Sequence, residues 1–299
     1  IYTISEPENN FNKKNKKSLN NKEKMFVLDK EILSNVRQQE KDYDDFKTQK
    51  LLPNKLSQLG PGIAWGDVDE DGDDDFFIGG ASGYLAQLYL NEGNGNFRKT
   101  KQNSFNLDLN SEDMGALFFD SDYDGDLDLY VVSGGVECNE ADSVLSDRIY
   151  LNDGAGNFLK ASPGYLPDIR RSGSIVIAAD LNNDNLLELF IGCRLVPGKY
   201  PEPAESYILS YDGTRYIDAT DQFINKEILS GMVTSAIFSD ANNDGQIDML
   251  VTYDWGPIKY FQNENGRLID FTDLSGLGDR FGWYNSISSG DFDLDGDFD

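Results

Sequence analysis

Histidine is missing from all 299 residues. Its absence removes Ser-His-Asp triads, imidazole general bases and every His-ligated zinc or iron site. Cysteine occurs twice, at Cys138 and Cys193, too few for a four-cysteine metal site or a disulfide framework. Positive charge is scarce: 26 Lys and Arg stand against 53 Asp and Glu, for a net charge of −27. A nucleic acid would be repelled, and no basic stripe follows residue 50 to offset this. No apolar run approaches the roughly 18 residues of a membrane span, so membrane insertion is not expected. A G-x-S-x-G nucleophile elbow is absent as well.

What is present is an apolar fraction of 39% with 18 Phe and 15 Tyr, enough to build a core. The first 50 residues hold 11 Lys/Arg against 9 Asp/Glu, leaving 15 against 44 for residues 51–299. The acidity therefore belongs to the main body. Residues 1–50 read as a linker or N-terminal extension, with a low-complexity polar stretch at 6–24. The part from Phe26 to Lys50 has no clean period and is expected to pack on the first structural repeat. The chain starts at Ile1 without a signal pattern, as expected of a piece of a longer polypeptide.

Five acidic segments repeat: DVDEDGDDD (67–75), DSDYDGDLD (120–128), DLNNDNLLE (180–188), DANNDGQID (240–248) and DFDLDGDFD (291–299). Their starts are 53, 60, 60 and 51 residues apart. Each follows a short apolar run, and the first four lead into another: FFIGG, LYVVSGG, LFIGC and MLVTY. A second echo follows each of the first four: LYLNEGNGNF, IYLNDGAGNF, YILSYDGTRY and KYFQNENGRL, a strand-turn-strand signal. About four short strands per period, with no helical pattern between them, predict an all-β protein built as a propeller of four-stranded blades. Blades are expected at about 55–110, 111–167, 168–228 and 229–279, with a partial one at 280–299.

The pattern D-x-D-x-D-G-x-x-D has a physical reading. Short carboxylates at positions 1, 3 and 5 converge in a tight turn, and glycine at 6 takes the left-handed conformation that closes it. A carbonyl at 7 and a carboxylate at 9 complete a cage of hard oxygens suited to Ca²⁺. The candidate ligands are Asp67, Asp69, Asp71, Asp73 and Asp75; Asp120, Asp122, Asp124, Asp126 and Asp128; and Asp180, Asn182, Asp184, Leu186 and Glu188. The last two loops offer Asp240, Asn242, Asp244, Gln246 and Asp248, then Asp291, Asp293, Asp295, Asp297 and Asp299. Up to five structural Ca²⁺ ions are expected, held most weakly in the third loop, where Asn182, Asn185 and Glu188 depart from the pattern. An EF-hand is excluded, because position 12 falls on Ile78, Val131, Ile191 and Val251 inside strands.

These loops resemble the FG-GAP/VCBS repeat. The stretches LLPNKLSQLGPGIAWGDVDEDG, EDMGALFFDSDYDGDLDLYVVSGG and GWYNSISSGDFDLDGD look similar to bacterial cartilage-acidic-protein-like proteins, which carry an ASPIC/UnbV domain beside such propellers. The resemblance covers roughly residues 40–299 and implies a secreted or surface-exposed protein, on the bacterial exterior or in the periplasm. It implies a propeller that closes with seven blades, of which this chain would hold about four and a half. It also implies adhesion or binding of glycan or protein ligands, with a polysaccharide lyase or hydrolase as the alternative.

Topology places the ligand surface. With the acidic loops at one rim, the 2–3 turns and 4–1 connections of the blades lie at the other. That rim gathers Glu112, Asp113, Arg170, Arg171, Tyr253, Asp254, Trp255, Trp283 and Tyr284, of which Arg171, Trp255 and Trp283 are the candidate ligand contacts. Trp283 has packing between blades as its competing role, and Trp65 is expected in the core. Cys138 and Cys193 follow equivalent strands and are expected as free thiols, with a disulfide as the alternative.

Overall fold

Short apolar runs broken at every acidic turn give sixteen short strands in a computed structural model that describes Leu33 and residues 36–93 and 95–292. The first sheet contains β1 (Ile63–Gly66), β2 (Asp75–Ile78), β3 (Gln87–Asn91) and β4 (Phe97–Lys99). The second contains β5 (Asp113–Phe119), β6 (Asp128–Ser133), β7 (Arg148–Leu151) and β8 (Leu159–Lys160). The third contains β9 (Ser172–Ala179), β10 (Glu188–Leu195), β11 (Tyr207–Tyr211) and β12 (Tyr216–Asp218). The fourth contains β13 (Val233–Ser239), β14 (Asp248–Tyr253), β15 (Lys259–Asn263) and β16 (Leu268–Asp270). Within each sheet the strands run antiparallel in sequence order, so the protein is all-β with four four-stranded sheets.

Register is the same in all four. The residue before each acidic loop pairs with the ninth residue of the loop: Gly66 with Asp75, Phe119 with Asp128, Ala179 with Glu188 and Ser239 with Asp248. The first strands of consecutive sheets touch, β1 to β5, β5 to β9 and β9 to β13, a propeller-like stacking. The approach is close enough to require glycine: a Cβ on Gly62 would lie 2.6 Å from the Gly115 carbonyl carbon, and one on Gly173 2.3 Å from Val132 Cγ1.

Three apolar cores fill the gaps between sheets. Phe77, Leu88, Leu129 and Val131 join the first to the second; Tyr130, Val132, Leu189 and Ile191 join the second to the third; Phe190, Ile208, Val251 and Phe261 join the third to the fourth. Phe77, Phe190 and Phe261 are fully buried, and truncating any of them to Ala costs roughly 3–5 kcal/mol.

One sequence expectation needs correction. Trp65 is 54% exposed rather than in the core. Strand alternation explains this: Ala64 faces the second sheet, so Trp65 takes the opposite face, against Phe76 and Phe97 at 5.0 and 6.2 Å. Residues 36–50 pack against the sheets. Val36 packs beside Phe76 and Tyr89 of the first sheet, as expected, but the segment then continues to turns of the second and third. Lys41 pairs with Glu137, and the Gln49 side chain exchanges two hydrogen bonds with the Tyr200 backbone. Asp45 holds the path, accepting from Leu56 N, Ser57 N and Ser57 Oγ. Residues 1–32 lie outside the described residues.

Candidate functional site

The acidic loops share one backbone shape. Position 6 is left-handed in each described loop, at Gly72, Gly125, Asn185 and Gly245, with φ from 68° to 106°. Position 4 is left-handed too, at Glu70, Tyr123, Asn183 and Asn243, which the sequence reading did not anticipate. The carboxylate at position 1 closes the turn, accepting from the backbone N–H groups of positions 5 and 6. Asp67 takes Asp71 N and Gly72 N, and Asp120, Asp180 and Asp240 repeat the arrangement.

In the first two loops the carboxylates of positions 1, 3 and 5 converge. One oxygen each from Asp67, Asp69 and Asp71, and likewise from Asp120, Asp122 and Asp124, lie within 4.8 Å of one another. Asp69 Oδ1, Asp122 Oδ1 and Asp126 Oδ1 are buried without a hydrogen-bond partner. Burial, then repulsion from neighbouring carboxylates, raises the Asp69 and Asp122 carboxyls and pushes Asp126 up to about 6. Orphaned, crowded anionic oxygens are the donor set of a hard cation, so the residues of these loops fit Ca²⁺. Asp73, at position 7 of the first loop, is exposed, and its N–H binds Asp71 Oδ1.

The third and fourth loops differ. The Asn182 amide donates to Asp184 Oδ2 at 3.0 Å, and the Asn242 amide to Asp244 Oδ2 at 2.9 Å. An internal N–H donor thus supplies part of what an ion would. The Leu186 and Gln246 backbone N–H groups bind Asp184 and Asp244, and Gln246 Oε1 is taken by Asn265 N. Of the fifth loop, Asp293, Asp295, Asp297 and Asp299 lie outside the described residues, and Asp291 is at their edge.

Position 9 has a second task. Asp75, Asp128, Glu188 and Asp248 are 0–1% exposed. In each of the four, one oxygen accepts from the backbone N–H of position 2. The other accepts from a residue of the third strand or just after it: Asn91 N, Asn152 N, Ser210 Oγ or Asn263 N. These carboxylates brace the loop against the sheet. The asparagines extend the brace between sheets. Asn152 donates to Val68 O of the first loop and Leu127 O of the second, and Asn263 to Leu181 O and Ile247 O of the third and fourth. Between the second and third loops tyrosines serve instead: Tyr165 and Tyr216 donate to Ser121 O, and Tyr123 accepts from Leu187 N. Sequence reasoning saw these asparagines only as turn signals.

At the opposite ends of the strands lie the 2–3 turns. Trp255 and Trp283 stand together there, ring centroids 4.9 Å apart, 58% and 40% exposed. Trp255 Nε1 donates to Tyr200 Oη at 2.6 Å, and Trp283 Nε1 to Asp254 Oδ1 at 2.5 Å. Asp254 is buried and takes a two-pronged contact from Arg194, both bonds 2.8 Å. A hollow of about 410 Å³ beside Trp255 is lined by Tyr200, Pro201, Pro203, Gly231 and Met232. Trp283 therefore packs on Trp255, and its indole stays partly open. Arg171 is engaged by Glu205 and lies 5.8 Å from the Tyr207 ring centroid; it lines a separate hollow of about 290 Å³. Asp113 is not at the ligand surface: it is buried, bound to Arg148 at 2.5 Å and to Gly80 N. Cys138 and Cys193 are free thiols, the latter fully buried within β10.

Residues 47–131 match the FG-GAP-like repeat family. That stretch contains the first two acidic loops and carries the repeat's suggestion of a propeller-type binding module. No curated protein matches the chain. Among solved structures, it is similar to a chain in the crystal structure of BBS1N in complex with ARL6DN, soaked with lead. The identity is 9%, the TM-score 0.27, and the coverage 78% of this chain and 85% of that one. No helix among the described residues is long and apolar enough to cross a membrane.

Proposed function

We propose that this chain is part of a calcium-stabilised β-propeller that binds a glycan or a protein outside the cell. The observation that carries the binding role is the paired, half-open Trp255 and Trp283. Burying aromatic surface normally stabilises a fold, yet here two indoles stay in water, locked by N–H bonds to Tyr200 and to the buried Asp254. A rigid aromatic face with polar edges suits a sugar ring or an apolar peptide side chain, because little entropy is lost on contact. Extracellular action fits the metal reading, since loops of this kind hold Ca²⁺ at the concentrations found outside cells. Asp67, Asp69 and Asp71, and Asp120, Asp122 and Asp124, would hold the best-formed ions. The bacterial surface lineage read from the sequence belongs to the same proposal.

The test is Trp255→Ala, assayed by glycan-array and protein pulldown capture with Trp fluorescence as readout. Capture should fall about tenfold or more while the melting temperature stays within about 2 °C. Equal capture by variant and wild type would remove the tryptophan face from the binding role.

A further inference from the structure

A cavity of about 470 Å³ opens where the 2–3 turn of the second sheet meets Tyr43 and Thr48 of the packed N-terminal segment and Pro197 of the third sheet. Glu112, Glu137, Glu140 and Asp142 line it, and no Lys or Arg does. Glu112 is 7% exposed; its Oε2 accepts from Ser82 N at 2.8 Å, and its Oε1 takes no hydrogen bond from the described residues. The Glu137 side chain is 8% exposed, and its Oε2 is buried without a hydrogen bond. Its charged neighbour is Lys41, whose ammonium reaches in from the rim at 3.4 Å on a side chain 55% exposed. Lys199 pairs with Glu140 in the same way at 2.6 Å, 46% exposed.

Carboxylate oxygens gathered in a cavity lined by four acids and no base call for N–H donors. A metal ion fits poorly, because among the described residues three carboxylates converge only in the first two acidic loops. A neutral sugar would leave the charges uncompensated. Covalent chemistry at Cys138 is disfavoured, since burial, then Asp142, pushes its thiol up to about 11 and keeps it neutral. We propose that this cavity binds an organic cation, a primary ammonium or guanidinium group, carried by a free polyamine or by a Lys or Arg side chain of a peptide. Lys41 already places an ammonium at Glu137 and is the internal competitor. The site is separate from the tryptophan face and does not rest on its role.

The experiment is calorimetric titration of the whole chain at pH 8 with saturating Ca²⁺, using spermidine in one arm and acetyl-Lys-Lys-Lys-amide in the other. A single saturable site is expected in at least one arm. Tighter binding of spermidine assigns a free polyamine, and tighter binding of the peptide assigns a basic side chain. Glu112→Gln should weaken the bound cation about tenfold or more, and Lys41→Met should tighten it several-fold. Asp221→Asn is the surface control, 76% exposed and paired only with Lys226. Absence of a saturable site in both arms would overturn the proposal. Equal weakening by Glu112→Gln and Asp221→Asn would also overturn it, by showing diffuse attraction to a chain of net charge −27.

Discussion

At the scale of single residues, Glu112 separates stability from function. Burial, then the charges of Glu40, Glu137 and Asp113, pushes its carboxyl up to about 7, against an ordinary 4.5. A raised carboxyl favours the folded state while it is protonated. That advantage is complete below about pH 4.5 and is lost as the pH rises through 7. Ionised Glu112 at pH 8 therefore strains the fold, on the order of 3 kcal/mol. Glu112→Gln keeps the acceptor for Ser82 N and removes the charge. It should raise the melting temperature by roughly 5 °C or more at pH 8 and leave it almost unchanged at pH 4.5. Thermal scans at the two pH values check this; a loss of stability at pH 8 would show that the charge is compensated. Little of this was legible in the sequence. Topology placed Glu112 and Asp113 together on one rim, and only the fold shows that Arg148 claims Asp113.

At the scale of elements, the four sheets were legible because repetition averages out local ambiguity. One apolar run of four residues is uninformative, but the same run after four acidic loops in one register is a strand. That residues 36–50 pack on the first repeat was expected, but their contacts farther along were not legible, because the segment has no period of its own and gains order from Glu137, Tyr200 and Ser57. The position 9 carboxylates were read as metal ligands, and the fold adds a bracing task that depends on strand register. The asparagine bridges follow from the same register. Asn152 is 9% exposed and satisfies two carbonyls from two different loops. Asn152→Ala leaves both without that donor and should cost about 2–3 kcal/mol. Denaturant unfolding measures this, and a change below about 0.5 kcal/mol would mean that water replaces the bridge.

At the scale of the whole molecule, charge decides. A net of −27, concentrated after residue 50, makes the fold repel itself, and the first two loops place three carboxylates within 4.8 Å. Each bound Ca²⁺ removes two negative charges where they are most crowded. A site held at about a hundred times its Kd stabilises the fold by about 2.7 kcal/mol, worth roughly 5–10 °C in a domain of this size. EGTA should therefore lower the melting temperature by several degrees at least. Mg²⁺ should restore it poorly, because it demands tighter octahedral geometry than these irregular cages offer. The first and second loops, with full Asp sets and orphaned oxygens, should bind most tightly, then the fourth, then the third. Asp124→Ala should abolish one ion and destabilise the second sheet, whereas Asp184→Ala should matter less, since Asn182 already serves that carboxylate. Calorimetry with Ca²⁺ on both variants reads the order directly. If the wild type takes up no Ca²⁺ at millimolar concentration, the loops are turns closed by Asp67 and its counterparts alone, and the orphaned oxygens of Asp69 and Asp122 must be met by water.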